Sequence, residues 1–164
     1  MSNRLFTILI LFSVLGSGLV AGVFFAFSTF VMKALAHLPA AQGIAAMQSI
    51  NIVVINPMFL GVFFGTAIAS IALVAAALSR WSEPRAGFLV AGGLFYLVGT
   101  VLVTIICNVP RNEALAMVDP NSTEAATLWI RYVAGWTAWN HVRGAAAIAA
   151  AACLTFALTP LFER

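Results

Sequence analysis

The residues best equipped for chemistry lie between Thr127 and Arg143, in TLWIRYVAGWTAWNHVR. This stretch holds three of the four tryptophans, one of two tyrosines and one of two histidines. Wound as a helix at about 100° per residue, it gathers Trp129, Tyr132, Trp136, Trp139, Asn140 and Arg143 within an arc of roughly 100°. Arg131 and His141 fall outside that arc. Aromatic walls with a few convergent polar groups make a small-molecule pocket. A guanidinium there can hold an oxyanion and stack on rings, and an amide can fix a phenol or ketone oxygen. The competing reading is an interfacial aromatic belt with Arg143 snorkelling to headgroups.

Further polar groups stand near the same membrane face. Tyr96, Thr100 and Thr104 form one stripe, which ends in the run Asn108-Val109-Pro110-Arg111-Asn112. Proline lacks an N–H, so Pro110 is expected to open the helix where two amides and a guanidinium cluster. Asn51 and Asn56 precede Pro57, which is expected to kink its helix there, with Asn56 repairing the freed carbonyls as the bland alternative. The candidate set is Arg143, Asn140 and Asn108 for chemistry. Trp136, Trp129, Tyr96, Thr104, Asn112, Arg111, Asn51 and Asn56 are the candidates for binding.

Several chemistries find no support. His37 and His141 are the only histidines, and no carboxylate lies inside an apolar segment to complete a metal site. There is no Ser-His-Asp logic and no phosphate loop. No acidic residue sits within a span, which argues against proton- or sodium-coupled transport. Cys107 and Cys153 form no CxxC pair and read as small packing residues. The basic residues form no run suited to nucleic acid.

The elements that must position these groups are transmembrane. The chain has 164 residues, of which 63% are hydrophobic and 8% charged, against about 25% charged in a soluble domain. Its mean hydropathy is +1.05. Four apolar segments appear: Leu5–Val31, about Ile52–Leu78, about Ala86–Cys107 and about Val142–Leu158. The first is too long for a signal-peptide core and reads as a retained span. The expected fold is all-α, a single domain over 1–164 forming an antiparallel four-helix transmembrane bundle. Gly18 with Gly22, and Gly61 with Gly65, are expected to bring helices together inside the monomer, and an oligomer stays open. Phe24, Phe25, Phe27 and Phe30 are expected mostly to face lipid. Ile44, Met47, Gln48 and Asn51 predict a short amphipathic lead-in to the second span. Asn121 with Glu124 reads as a capping box, starting the last helix near Ser122. Basic residues divide four against four between the two faces. Discounting Arg111 and Arg143 as site residues puts both termini in the cytoplasm, in a plasma membrane, with the site facing outward.

The motifs N-x-x-x-x-N-P (Asn51, Asn56, Pro57), N-V-P-x-N (Asn108, Val109, Pro110, Asn112) and W-x-x-x-N-x-x-R (Trp136, Asn140, Arg143) resemble those of the anthrone oxygenase-like family. The resemblance covers nearly the whole chain, including span number and spacing. It implies oxygenation of an aromatic or phenolic molecule without a cofactor. The substrate would be deprotonated and its anion oxidised by O₂, with Arg143 and Asn140 or Asn108 as oxyanion holders. His141 is a natural base by type but stands about 160° from Arg143 around the helix; Tyr96 and bound water are the other candidates. The partners expected are a small lipophilic aromatic molecule and membrane lipids. The alternative is a non-catalytic membrane protein that binds a lipophile, a quinone or a partner protein. Asn108 and Asn112 are predicted to approach Asn140 and Arg143, with Trp136 as the apolar wall beneath.

Overall fold

A computed structural model of the chain describes residues 3–159. Arg164, one of the four basic residues that the sequence assigns to the face of the two termini, lies outside them. The described residues are helical and contain no strand. The chain folds as an all-helical membrane bundle. Helix α1 (Asn3–Ala26) continues through a π-helical turn, Phe27–Val31, into α2 (Met32–Ala36). Helix α3 (Ala40–Val53) leads to α4 (Pro57–Leu78). Helix α5 (Ala86–Leu94) continues through two π-helical segments, Phe95–Leu102 and Thr104–Asn108, into α6 (Val109–Ala116), and α7 (Ala125–Phe156) follows.

Three of these stretches are long and apolar enough to cross a membrane: Arg4–Ala36, Pro57–Leu78 and Ala86–Ala116. The fourth predicted span is the C-terminal half of α7. Arg143 and an alanine-rich composition make it less apolar than the others. It is also well shielded, packed on α1, on α5 and on the π-helical part of the third span. A helix that faces protein rather than lipid needs less hydrophobicity.

Three apolar clusters succeed one another along the bundle. Phe6, Leu73, Leu89 and Leu154 fill the end nearest the N-terminus. Val20, Phe63, Tyr96 and Ala150 fill the middle. Ile44, Met47, Leu115, Trp129, Tyr132 and Trp136 form the opposite end, where α3 lies across the bundle. The stripe predicted on α3 does turn inward: Ile44 and Met47 are buried, and Gln48 Nε2 donates to the carbonyls of Leu115 and Val118 at 2.9 and 3.0 Å.

Several local expectations are corrected. Pro57 kinks nothing: α3 ends at Val53 and a new helix begins at Pro57. Asn56 caps it, accepting from the Phe59 N–H at 3.0 Å, while its Nδ2 donates to Val53 O at 3.0 Å. Proline at the first helical position loses no bond that the helix needs. Nor does Pro110 open the third span; the helix widens into π winding before it and runs on as α6. Helix α7 starts at Ala125 without a side-chain cap. Asp119 Oδ1 accepts from the Asn121 N–H at 2.9 Å, and that turn takes the place of the capping box. Phe25 and Phe30 face outward as expected, but Phe24 is buried and Phe27 half-buried.

The glycines that permit close approach also differ from those expected. Gly18, Gly22 and Gly61 have open space where a side chain would go. The tight crossing between the third span and α7 runs instead through Gly99, where an added Cβ would overlap Ala146 Cβ. Both groups are fixed to their backbones, so the helices would have to separate. Gly99→Ala should therefore destabilise by about 1–3 kcal/mol, the range for overpacking. Thermal unfolding in detergent checks this, with Gly18→Ala, which meets open space, as the unaffected control.

Candidate functional site

The site is built on α7, whose winding is unbroken from Ala125 to Phe156. The face predicted from the sequence is the buried one: Trp129, Tyr132, Trp136, Asn140 and Arg143 are each less than 9% exposed. Trp139, at the edge of the predicted arc, is 37% exposed and leaves the set. Arg131 and His141 are exposed on the far side.

Arg143 is the centre. Its Nε and Nη2 donate to Asn140 Oδ1 at 3.0 and 2.8 Å, and its Nη1 donates to Thr104 Oγ1 at 3.3 Å. The guanidinium carbon lies 4.0 Å from the ring centre of Phe24 and 4.9 Å from that of Trp136. The cation is thus held between two aromatic faces, an arrangement that suits a delocalised, weakly hydrated guanidinium. Among the described residues no carboxylate pairs with it; the ion pairs present are Arg80–Glu83 and Arg85–Glu83, in the turn at the other end. A guanidinium has five N–H donors. Three are occupied by neutral oxygens, which leaves donors for a ligand.

Each partner of Arg143 is itself fixed. Asn140 Nδ2 donates to Phe24 O and to Ser28 Oγ, both at 2.7 Å, tying α7 to the end of α1. Thr104 Oγ1 donates to Thr100 O at 2.7 Å, and Thr100 Oγ1 donates to Arg143 O at 3.2 Å. Ser28, Thr100 and Thr104 all lie in π-helical segments, which are frequent at functional sites.

Asn108 and Asn112 do approach α7, but nearer its N-terminal end than expected. Asn108 Nδ2 donates to Trp136 O at 3.2 Å. Asn112 Oδ1 accepts from Tyr132 OH at 3.0 Å and from Trp136 Nε1 at 2.8 Å. The expected pairing with Asn140 and Arg143 is therefore corrected by about one turn. In an antiparallel pair, stepping forward along one helix steps back along the other. Because Thr104 meets Arg143, Asn108 and Asn112 must meet residues preceding Asn140.

Beside Arg143 lies a cavity of about 890 Å³. This is near the upper end of the range for small-molecule pockets, about 300–1,000 Å³. Phe24, Phe27, Phe59, Phe63 and Trp136 wall it, and Arg143, Thr104, Gln48, Asn51 and Asn112 supply polar groups. Asn51 Nδ2 is buried without a hydrogen-bond partner. Of the remaining predicted site residues, none lines this cavity. Trp129 stacks on Tyr132 with centroids 5.6 Å apart. Tyr96 is fully buried and donates to Phe63 O at 3.0 Å, fastening the third span to the second. Arg111 folds back onto the Cys107 carbonyl and lies over Gly135. Asn56 is used as a helix cap.

Sequence reasoning missed Ser28, Gln48 as a cavity residue, and Glu113. Glu113 is exposed and also lines the cavity, so it stands at the rim. Its signal was its place one residue after Asn112, on the same helical end. Among the described residues no three His, Cys, Asp or Glu side chains come together to hold a metal ion.

A helical membrane bundle with an arginine-ended aromatic cavity is the class that this fold and site define. The sequence profile of the family described as anthrone oxygenase matches residues 58–153, more than half of the chain. The chain belongs to that family. The matched region holds Asn108, Asn112, Trp136, Asn140 and Arg143; Asn51 and Asn56 lie before it. No curated protein and no solved structure matches the chain.

Asn140 is the residue on which the site's integrity rests. Asn140→Leu strips two acceptor contacts from a buried cation and removes the donor to Phe24 O and Ser28 Oγ. It should destabilise by about 3 kcal/mol or more, as removing one partner of a buried charge does. Thr104→Val, which removes one longer contact, should destabilise by only about 1 kcal/mol. Chemical unfolding in detergent micelles ranks the two.

Proposed function

We propose that the chain oxygenates a phenolic or anthrone-type aromatic molecule held in this cavity, its acidic oxygen against Arg143. The observation that carries the reading is the guanidinium itself, buried at the cavity wall with neutral partners only. Such a group favours a negative charge developing on a bound oxygen, in a site with little water to compete. The aromatic walls suit a flat ring system.

The reaction supported by this arrangement needs no group beyond substrate and O₂. A base takes a proton from the activated ring carbon, and the electron pair of that C–H bond delocalises onto the oxygen facing Arg143. The anion passes one electron to O₂, the two radicals combine at the carbon, and the resulting hydroperoxide loses water. The CH₂ group becomes C=O, one oxygen atom enters the product and the other leaves as water. Arg143 and Glu113 are the charged side chains in the lining. Glu113 is therefore our candidate base, in place of His141 and Tyr96, neither of which reaches the cavity.

The second reading is a binder of a lipophile, quinone or partner protein that does no chemistry. It is favoured by the mainly apolar lining, in which Arg143 and Glu113 are the charged side chains. We further place both termini in the cytoplasm and the cavity toward the outer face of the plasma membrane. Reporter fusions at the C-terminus test that placement, and a reporter active only outside would reverse it.

O₂ consumption by the purified protein with anthrone tests the main reading. Arg143→Lys should lower kcat/KM about 100-fold, because a lysine keeps the charge but not the planar fork. Unchanged turnover would remove Arg143 from the chemistry. The base is tested without oxygen. Wild-type protein in D₂O should exchange the methylene hydrogens of anthrone anaerobically, and Glu113→Gln should lose about 10²-fold or more of that exchange. Ligand binding with neither exchange nor O₂ uptake would favour the second reading.

A further inference from the structure

We infer that the ligand enters the cavity sideways from the bilayer, and that the site is built for a membrane-partitioned amphiphile: an uncharged, weakly acidic phenol whose apolar body trails through a slot between α4 and the outer part of the third span. The inference rests on the cavity reading above and adds the substrate class and its route.

The slot follows from how the spans pack. Helix α4 packs along α1, α5 and the first π-helical segment of the third span. Farther on, toward Asn108 and α6, it has no comparable packing partner in that span. The two spans diverge, and the cavity occupies the gap. Its lips are side chains that line the cavity while facing out of the protein. Ile55 is 69% exposed and Phe64 47% on the α4 side; Ile105 is 51% exposed and Val109 37% on the other. Phe64 and Ile105 lie within helices that cross the apolar layer, so hydrocarbon is what they meet.

The chemistry along the route is graded. The lips between α4 and the third span are aliphatic and aromatic and the walls aromatic; Glu113 stands at the rim beside Asn112, and the cation, Arg143, sits at the inner end. A permanent anion would have to leave water, cross the apolar lips and lose its hydration before reaching a counter-charge, which is costly at membrane depth. A neutral phenol already dissolved in the bilayer avoids that step and ionises only once beside the guanidinium. A cavity of about 890 Å³ with an open side also accepts a hydrocarbon chain longer than the enclosed space. Thr104 and Ile105, at adjacent positions of the third span, both line the cavity, Thr104 bonded to Arg143 and Ile105 exposed at the lip.

The test uses the whole protein in phosphatidylcholine liposomes with two probes that share one ring system. One is an anthrone bearing a dodecyl chain; the other is an anthrone bearing a sulfonate. Quenching of tryptophan fluorescence reads binding, and O₂ uptake reads turnover. The dodecyl probe should bind and the sulfonate should not. Ile105→Trp, which narrows the slot without touching Arg143, should slow association of the dodecyl probe by about tenfold. Should that variant fail to fold, Ile105→Cys on a Cys107→Ala, Cys153→Ala background, alkylated after reconstitution with benzylmaleimide, gives the same narrowing. Equal binding of both probes, or association unchanged by the narrowing, overturns the lateral route and leaves the oxygenase reading standing. Binding of the dodecyl probe without O₂ uptake supports the route and sinks the oxygenase reading. Failure of the wild type to bind either probe overturns both.

Discussion

A guanidinium removed from water must be met on every side by groups that replace its hydration. Arg143 meets this demand without an acidic partner. It uses one amide oxygen, one hydroxyl and two ring faces, drawn from α1, the third span and α7 itself. An Arg–carboxylate pair would satisfy the charge within two residues. Neutral acceptors each offset only part of the desolvation cost, so several are needed and they must come from different helices. The need to surround one cation therefore specifies how three helices sit against each other.

That requirement propagates outward. Asn140 can face Arg143 with its oxygen only if its nitrogen is occupied elsewhere, and Phe24 O and Ser28 Oγ occupy it. The end of α1 is thereby fixed, and with it the Phe24 ring that covers the guanidinium. Thr104 can accept from Arg143 because its own proton goes to Thr100 O. Three of the groups in this chain, Ser28, Thr100 and Thr104, lie in π-helical winding, which turns successive residues through smaller angles than an α-helix. The polar chain has one open end, on the cavity side.

The cavity is stabilised from outside itself. Large rings at Phe27, Phe59, Phe63 and Trp136 bridge the gap between spans without filling it, and α3 closes the end through Gln48 and the Ile44–Met47 stripe. Trp136 is immobilised by its Nε1 bond to Asn112 and its contact with Phe27, 5.6 Å between centroids. The walls are thus held by contacts with one another and with the helices behind them. The donors left on Arg143 face the space between these walls.

The sequence by itself determined whatever depends on one helix. Composition and apolar run length made the chain a membrane bundle, because bilayer thickness sets span length. The buried face of α7 was legible because continuous winding makes angles a matter of counting; of the two residues at the edges of the arc, Trp139 faces out and Asn140 is buried. The motif residues Asn108, Asn112, Asn140 and Arg143 were legible as polar groups too costly to leave facing lipid, and Trp136 as an apolar wall. What passes between helices was not legible. The register of the third span on α7 was expected one turn away, and only the tertiary structure decided it, through the approach of Gly99 to Ala146 and the pairing of Thr104 with Arg143. Pro57 and Pro110 show the same division. Each announces a missing N–H, but a cap at Asn56 or π winding before α6 absorbs the loss, and neighbouring helices choose between such answers. The inward turn of Phe24, the retreat of Tyr96 to Phe63 O and the rim position of Glu113 likewise follow from which element lies opposite, which no single stretch of chain encodes.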